Sequence, residues 1–170
     1  MTRSFRDDFV ELYDAHFARV YRYMDRLSGD PDLAADIAQE TFIKLYQRGS
    51  IPDTPGAWLV TVAMNLFRNA HTTQSRRRHL LNVVPDAAMF SDRAVETTPA
   101  AETQALQARV RRALDRVPER DRHLLLLRAE GYSYREIAAA LQIQETSVGT
   151  LLARAKRAFR DNYEARADAS

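Results

Sequence analysis

Apolar residues recur every three or four positions through the first 28 residues, which is the spacing of one buried face of an α-helix. Ser28-Gly29 interrupts this pattern, and Asp30-Pro31 then supplies an N-cap followed by a proline that a first helical turn accommodates. The pattern therefore predicts a first helix of about six turns and a second helix that begins near Pro31. The apolar positions of the first helix are Phe5, Phe9, Leu12, Tyr13, Phe17, Val20, Tyr21, Met24 and Leu27.

The same periodicity predicts two more helical segments before residue 79. Residues 49 to 55 contain Gly, Ser, Asp and two prolines, so they form a loop, and Thr54-Pro55 repeats the cap-then-proline start. The inward positions of the second helix are Leu33, Ile37, Thr41, Phe42, Leu45 and Tyr46, and those of the third are Trp58, Leu59, Val62, Ala63, Leu66, Phe67 and Ala70.

The periodicity fails between about residues 79 and 101, where two prolines stand among small and acidic residues. We interpret this stretch as a flexible linker. It divides the chain into an N-terminal domain of residues 1–78, a linker of residues 79–103 and a C-terminal domain of residues 104–170.

In the C-terminal part, the sequence pattern predicts two helices, over residues 105–117 and 118–129, followed by a helix-turn-helix. Ser133 and Glu136 form a capping box that opens the first helix of this unit, and Ile143 fills the turn before the second. An alternating strand pattern is absent from the whole sequence. The predicted fold is therefore all-α, with two small helical domains joined by a linker.

Composition supports a soluble globular protein, with 45% apolar and 28% charged residues, and 23 of the 25 basic residues are Arg. The net charge of +2 is unevenly distributed, because residues 61–80 carry Arg68 and the Arg76–Arg78 triplet without any acidic residue. Such a local excess is typical of a nucleic-acid contact, although a solvated helix end is the alternative.

Residue types and motifs that are absent from the sequence argue against several functional classes. There is no cysteine, which excludes disulfides, thiol catalysis and zinc ribbons. The first residues carry acids where a signal peptide needs an apolar core, and no apolar run approaches the roughly 18 residues that span a bilayer. We expect a cytoplasmic protein without membrane insertion. We also expect no cofactor, metal site or catalytic residues, since the four histidines lack ligand spacing and no phosphate-binding glycine loop is present.

The second helix of the helix-turn-helix has a face suited to DNA. Val148, Leu152, Ala155 and Phe159 take its inward side at helical spacing. The outward side combines short hydroxyls with arginine, which can contact phosphates or base edges in a major groove. The alternative is an ordinary helical hairpin whose small outward residues are exposed to solvent and bind no DNA. The outward residues are Thr146, Ser147, Gly149, Thr150, Ala153, Arg154 and Arg157.

Three segments in order, at residues 36–48 (DIAQETFIKLYQR), 57–78 (AWLVTVAMNLFRNAHTTQSRRR) and 131–159, resemble the bacterial RNA polymerase sigma factors of the extracytoplasmic function (ECF) group. The resemblance covers roughly residues 5–78 and 104–163. It implies a region 2 domain that binds core polymerase and the minus-ten element, and a region 4 domain that binds the minus-thirty-five element.

The resemblance also implies roles for individual residues. A polar face of the second helix would dock on the clamp of the polymerase β′ subunit, and region 4 would contact the β flap. The loop at residues 49–55 and the start of the third helix would hold a flipped promoter base. The polymerase-binding residues would be Asp36, Gln39, Glu40 and Lys44; the minus-ten residues Asn65, Arg68, Asn69, Arg76, Arg77 and Arg78; and the minus-thirty-five residues Ser147, Gly149, Thr150, Ala153 and Arg154.

The sequence departs from the family pattern at a few of these places. Gly149 and Leu151 stand where basic residues are frequent, Thr61 also replaces a common basic residue, and the loop has Gly49 and Ser50 instead of an aromatic. Promoter preference therefore does not carry over from relatives.

Two further functions and one partner follow from these patterns as hypotheses. A stand-alone helix-turn-helix regulator would use the C-terminal domain but leave the first 78 residues unexplained, and a protein-interaction adaptor would make no DNA contact. An anti-sigma factor is the additional partner we expect, because the linker lets the two domains close on a third helix.

Overall fold

The computed structural model describes residues 3–80 and 99–165, and of Ser75, Arg77, Arg78 and His79 it describes the backbone alone. These residues form seven α-helices and, within the described ranges, no strand. The all-α prediction is confirmed. Most of the segment predicted as a linker, residues 81–98, lies outside the description.

Helices α1 (Phe5–Ser28), α2 (Pro31–Arg48) and α3 (Pro55–Leu80) form the N-terminal lobe. The Asp30 carboxylate caps α2 by accepting from the backbone N–H groups of Asp32 and Leu33, both at 3.1 Å. Gly29, at φ 67°, ends α1 in the left-handed region that glycine adopts at little cost. The three helices bury a shared core that includes Val20, Tyr23, Met24, Ile37, Phe42, Leu45, Leu59 and Val60.

Helices α4 (Pro99–Asp115), α5 (Glu119–Ala129), α6 (Tyr134–Leu141) and α7 (Glu145–Glu164) form the C-terminal lobe. Ser133 and Glu136 make the predicted capping box, in which each side chain accepts from the other residue's backbone N–H. Gln142 ends α6 at φ 56°, and its N–H donates to the Ala138 carbonyl. This tight turn sets α7 across α6, as in a helix-turn-helix.

Helix extends into both edges of the segment predicted as a linker. The backbone of α3 continues to Leu80, and α4 begins at Pro99 rather than near residue 105. Proline is favoured in a first helical turn, and residues 100–107 (AAETQALQ) are mostly good helix formers. Most of these residues are exposed, so apolar periodicity, on which the linker boundary rested, carried no signal there.

The two lobes pack directly against each other. Helix α1 contacts α5, and α3 contacts α6. The buried residues of the two lobes form one continuous cluster, in which Leu124, Leu127, Tyr132 and Ile137 join the core of the N-terminal lobe. The two helical domains that the sequence predicted are therefore in contact in this structure.

Candidate polymerase and nucleic-acid interface

The fold fixes which side of α7 faces outward. Val148, Leu152 and Ala155 are buried against the lobe, and Ile143 packs partly buried in the turn before the helix. The apolar stripe expected from the sequence therefore points inward. The outward side is free to meet a ligand.

Among the five predicted minus-thirty-five residues, Thr150, Ala153 and Arg154 are exposed, whereas Ser147 and Gly149 are partly buried. Space does not require glycine at position 149, because a Cβ there would lie 3.6 Å from the Tyr134 ring, an ordinary contact. A larger residue would fit the fold. The absence of a side chain at position 149 is therefore not required by the packing of α7.

Arg154 has a structural partner that the sequence did not reveal. Its guanidinium donates to the carboxylate of Asp121 on α5 at 2.8 Å, and only 4% of the Asp121 side chain is exposed. This hydrogen bond and the negative charge raise the pKa of Arg154. The interaction also fixes where the guanidinium lies relative to α7.

All six predicted minus-ten residues belong to α3. Asn65, Arg68, Asn69 and Arg76 are exposed, with the two asparagines one helical turn apart. The side chains of Arg77 and Arg78 lie outside the described residues, although their backbone is helical.

Asn65 and Arg68 face the C-terminal lobe across an open cavity of about 380 Å³. The opposite wall includes Glu119, Arg120 and Gln142. The Arg68 guanidinium lies 4.0 Å from the exposed Glu119 carboxylate. The Glu119 carboxylate therefore lies next to Arg68, which is expected to contact a DNA phosphate.

The loop expected to hold a flipped base leaves α2 through Gly49, which has a φ of 71°. Pro52 is buried, whereas Ser50 and Asp53 are exposed. Trp58, at the start of α3, packs partly buried against the core, with Arg48 5.7 Å from its ring centroid. We therefore regard Trp58 as a core residue, as the sequence pattern indicated.

The predicted polymerase-binding residues lie along the outer side of α2. Asp36, Gln39 and Lys44 are exposed, Glu40 is partly exposed, and Lys44 lies 3.8 Å from the Glu40 carboxylate. An exposed pair at this distance contributes little to stability. These charges are therefore available to a partner.

An aromatic surface beside these charges was missed at the sequence level. Tyr46 was expected to point inward, but it is 63% exposed, and Ile43 is 48% exposed. The Tyr46 ring packs edge-on against Phe9 at 5.4 Å, and Tyr13 packs against Phe42 at 5.1 Å. Helical periodicity alone placed Tyr46 inward, because the residue lies at the border of the apolar stripe.

Buried polar groups connect the lobes beside the cavity that Asn65 and Arg68 line. The Tyr23 hydroxyl lies 2.5 Å from Nδ1 of His123, and both side chains are buried. Burial lowers the pKa of His123, and the positive charges of Arg68 and Arg122 lower it further. The Glu119 carboxylate acts in the opposite direction and raises this pKa. Burial raises the pKa of Tyr23, so its hydroxyl remains protonated beside the His123 imidazole.

The described residues offer neither a metal site nor a membrane-spanning helix. Within residues 3–80 and 99–165, no cluster of three or more His, Cys, Asp or Glu side chains is suited to hold a metal ion. None of the seven helices combines the length and apolar character that crossing a membrane requires.

Comparison with known proteins matches both lobes. Residues 12–77 match the family model described as Sigma-70 region 2, and residues 107–159 match the one described as Sigma-70, region 4. The two matches follow one another in the order that the sequence segments suggested.

Curated relatives match most of the chain. The chain is 33% identical over 165 residues to the ECF RNA polymerase sigma factor EcfG of Rhodopseudomonas palustris, with 93% of this chain and 82% of that protein covered. It is 34% identical over 164 residues to SigL of Mycobacterium tuberculosis, with 88% and 85% covered. It is 33% identical over 158 residues to SigE of Mycolicibacterium smegmatis, where 89% of this chain corresponds to 60% of the longer relative.

A solved structure shares the fold. The sigma factor RpoE from Bartonella quintana, crystallised in complex with the anti-sigma factor NepR, superimposes with a TM-score of 0.66 at 20% sequence identity. The superposition covers 92% of this chain and 97% of that one.

Proposed function

The chain belongs to the ECF RNA polymerase sigma factor family, and we propose that its α2, α3 and α7 faces bind the polymerase clamp, the minus-ten element and the minus-thirty-five element respectively. Members of this family bind core RNA polymerase and direct promoter recognition, and this protein acts as such an initiation factor. RNA synthesis itself belongs to the polymerase. We further infer a cytoplasmic location, where polymerase and promoter are present.

The polymerase contact is proposed for Asp36, Gln39, Glu40 and Lys44. Their support is an exposed, mixed-charge helix face, which can steer association and fix register with a partner. The neighbouring exposed Ile43 and Tyr46 add apolar area of the kind that anchors an interface.

The minus-ten contact is proposed for Asn65, Asn69 and Arg68, with Arg76, Arg77 and Arg78 following on the same helix. Amide side chains can recognise the hydrogen-bonding edge of an unpaired base, and arginines neutralise the backbone. The observation that carries the proposal is that both asparagines are exposed, one turn apart, on a helix matched as region 2.

The minus-thirty-five contact is proposed for the outward side of α7. Thr150 and Ala153 are small and exposed, with Ser147 and Gly149 beside them, so the helix surface can approach base edges closely. Arg154, held by Asp121, would present its remaining N–H donors to a phosphate or a guanine.

We also propose an anti-sigma factor as a regulatory partner. The supporting observation is the shared fold with an RpoE protein whose crystal structure contains NepR. A pull-down with a candidate anti-sigma factor would test this directly. Formation of a one-to-one complex that prevents core polymerase binding is the expected result.

The proposed function is tested with purified protein, core polymerase and a promoter found by mapping transcripts after overexpression. We expect the protein to co-migrate with core, to direct initiation at that promoter and to protect both elements from cleavage only in the complex. Tight binding to duplex DNA without core, with no co-migration, would instead identify a stand-alone helix-turn-helix regulator.

A further inference from the structure

Three arginines project from one face of α4. Arg109, Arg112 and Arg116 follow one another at i, i+3 and i+7, so their side chains leave the same side of the helix, and all three are exposed. We call these three residues the arginine triad. The triad surrounds a shallow pocket that is completed by Ala113 of α4 and by Asn162 and Tyr163 of α7.

The end of α7 forms a fixed floor for this pocket. The Asn162 side-chain amide donates to the Ala113 carbonyl at 3.5 Å, which ties α7 to α4. The Tyr163 ring stacks on Phe159 with 5.9 Å between centroids, and the Arg109 guanidinium lies 4.7 Å from the Tyr163 centroid. A guanidinium over an aromatic ring is a favourable contact that restricts its position. Arg109 is therefore oriented before any partner binds.

No acidic side chain of the described residues compensates the triad. None of the ion pairs within residues 3–80 and 99–165 includes any of its three members. Arg68 and Arg154, by contrast, face the carboxylates of Glu119 and Asp121. Like charges three and four residues apart on one helix repel each other and weaken that helix. An anionic partner would remove this repulsion.

The triad lies away from the side of α7 that is proposed to bind DNA. Tyr163 follows Arg154 by nine residues, which is about two and a half turns and roughly 14 Å along the helix, so the two side chains leave opposite sides of α7. A recognition helix enters the major groove with its N-terminal residues. Promoter DNA on the outward side of α7 therefore leaves the triad free.

The aromatic ring at the triad also argues against an unpaired nucleic acid strand. Proteins that bind single strands offer open aromatic faces on which bases stack. The Tyr163 ring is instead partly buried and already packs against Phe159 and Arg109. A polypeptide is therefore the favoured occupant.

The triad matches a carboxylate-rich helix in chemistry and in spacing. Guanidinium groups bind carboxylates through paired N–H donors, and clusters of arginine recur as sites for acidic motifs. The triad spans about 10.5 Å along α4, and carboxylates at i, i+3 and i+7 of a second helix span the same distance. Leu106, in the preceding turn of α4, is 51% exposed and adds apolar area beside the charges.

We propose that the arginine triad, together with Leu106, is a docking site for an acidic helix of a protein partner, which can occupy it while α7 holds the minus-thirty-five element. The docking site itself does not depend on the proposed function. Only the simultaneous occupancy by partner and promoter rests on it.

The docking site is tested with the full chain and a fluorescein-labelled synthetic peptide. The peptide is an alanine-rich helix with glutamates at i, i+3 and i+7 and one leucine on the same face. One matched peptide has glutamine in place of each glutamate, and another has the same composition with the glutamates spread around the helix. We expect fluorescence anisotropy to show the acidic-face peptide binding about tenfold more tightly than either matched peptide, with a difference that shrinks as salt rises.

Substitutions in the triad should abolish this preference. Arg109→Gln with Arg112→Gln and Arg116→Gln is expected to weaken binding of the acidic-face peptide about tenfold. Arg112→Gln with Arg116→Gln keeps the contact between Arg109 and Tyr163, so it decides the matter if the triple variant fails to fold.

The matched control removes the same charge from three exposed arginines outside the triad and should bind the peptide nearly as the wild type does. Its substitutions are Arg6→Gln, Arg120→Gln and Arg135→Gln.

Nuclear magnetic resonance of the isotope-labelled chain locates the bound peptide. The side-chain amide of Asn162, which lines the pocket, should shift on addition of the acidic-face peptide. Asn65 and Asn69 on α3 are exposed far from α4 in the chain and serve as internal references that should not shift.

The proposal is overturned if the acidic-face and glutamine peptides bind equally, or if folded triad variants bind the peptide as the control does. A non-promoter DNA duplex that binds more tightly than the peptide, and loses this binding in the triad variants, would identify a nucleic-acid surface instead. Release of promoter DNA from the polymerase complex by the peptide would refute simultaneous occupancy. Peptide binding by a chain that never binds a promoter with polymerase would refute the proposed function and support the docking site.

Discussion

Arg154 of α7 donates a hydrogen bond of 2.8 Å to the buried carboxylate of Asp121 on α5. The two residues are unequal partners, because Arg154 is largely exposed and Asp121 is not. Removing the arginine leaves a carboxylate buried without its cation, whereas removing the carboxylate leaves an arginine in water. A buried unpaired charge is the more costly outcome.

We therefore predict that Arg154→Ala lowers the melting temperature more than Asp121→Asn does. Both variants should weaken binding to minus-thirty-five DNA. Arg154→Ala removes the guanidinium that donates to DNA, and Asp121→Asn weakens the contact that holds this guanidinium in place. Thermal unfolding and DNA binding by the polymerase complex measure the two effects. Thr150→Ala, at an exposed position without such a partner, is the control that should reduce DNA binding and leave the melting temperature unchanged. Equal melting temperatures for the two Arg154–Asp121 variants would contradict the argument.

Asn65 and Asn69 are predicted to determine promoter preference without contributing to stability. Both are exposed on α3, so alanine leaves no cavity and no buried group unpaired. Loss of one good base contact corresponds to roughly 1–3 kcal/mol of discrimination. We expect each alanine variant to lose about tenfold in initiation at the cognate minus-ten sequence, with much less effect on a template that is already mismatched there. A uniform loss on both templates would point to a defect other than base recognition.

Charge reversal on α2 should separate polymerase binding from folding. Glu40→Lys places a cation beside Lys44 on an exposed face, so we expect weaker binding to core and little change in the unfolding free energy. The loss should shrink as salt rises, because exposed charges are screened. Co-migration with core over a salt series measures this. Glu164→Lys, exposed at the end of α7, is the matched control and should bind core normally.

Helix positions and the inward faces could largely be predicted from the sequence, because caps and apolar spacing are local signals. The Asp30 cap of α2, the Ser133–Glu136 box and the burial of Val148 and Leu152 are examples. Tyr46 was placed wrongly, since a residue at the edge of an apolar stripe turns outward or inward according to what packs beside it. Helix α4 begins at Pro99, earlier than expected, because its first residues are exposed helix formers and therefore show no periodic apolar positions.

The contact between lobes could not be predicted, because it depends on pairs that are far apart in the chain. Arg22 and Arg26 are ordinary exposed arginines by sequence, and Glu130 is an ordinary glutamate at a helix end. Only the packing of α1 against α5 makes them partners. The Arg154–Asp121 pair was missed for the same reason.

Two histidines at the contact between lobes predict that stability falls in mild acid. Burial lowers the pKa of His123, which faces Tyr23 from α1, Arg68 from α3 and Glu119 and Arg122 from its own helix. Burial also lowers the pKa of His16, with Arg19 acting in the same direction and Glu136 against it.

Below the ordinary histidine pKa of about 6.5, the unfolded chain binds protons that the buried imidazoles do not. The unfolded state then holds more protons than the folded state, so the free energy of unfolding decreases as pH falls from about 6.5 toward the lowered pKa. The slope for His123 is at most about 1.4 kcal/mol per pH unit. Urea unfolding between pH 5 and pH 8 measures it, and His123→Gln should flatten the profile because the titrating group is gone. His71, which is exposed on α3, supplies the control: His71→Gln should keep the wild-type slope, and a profile that His123→Gln leaves unchanged would show that this buried imidazole is not the group responsible.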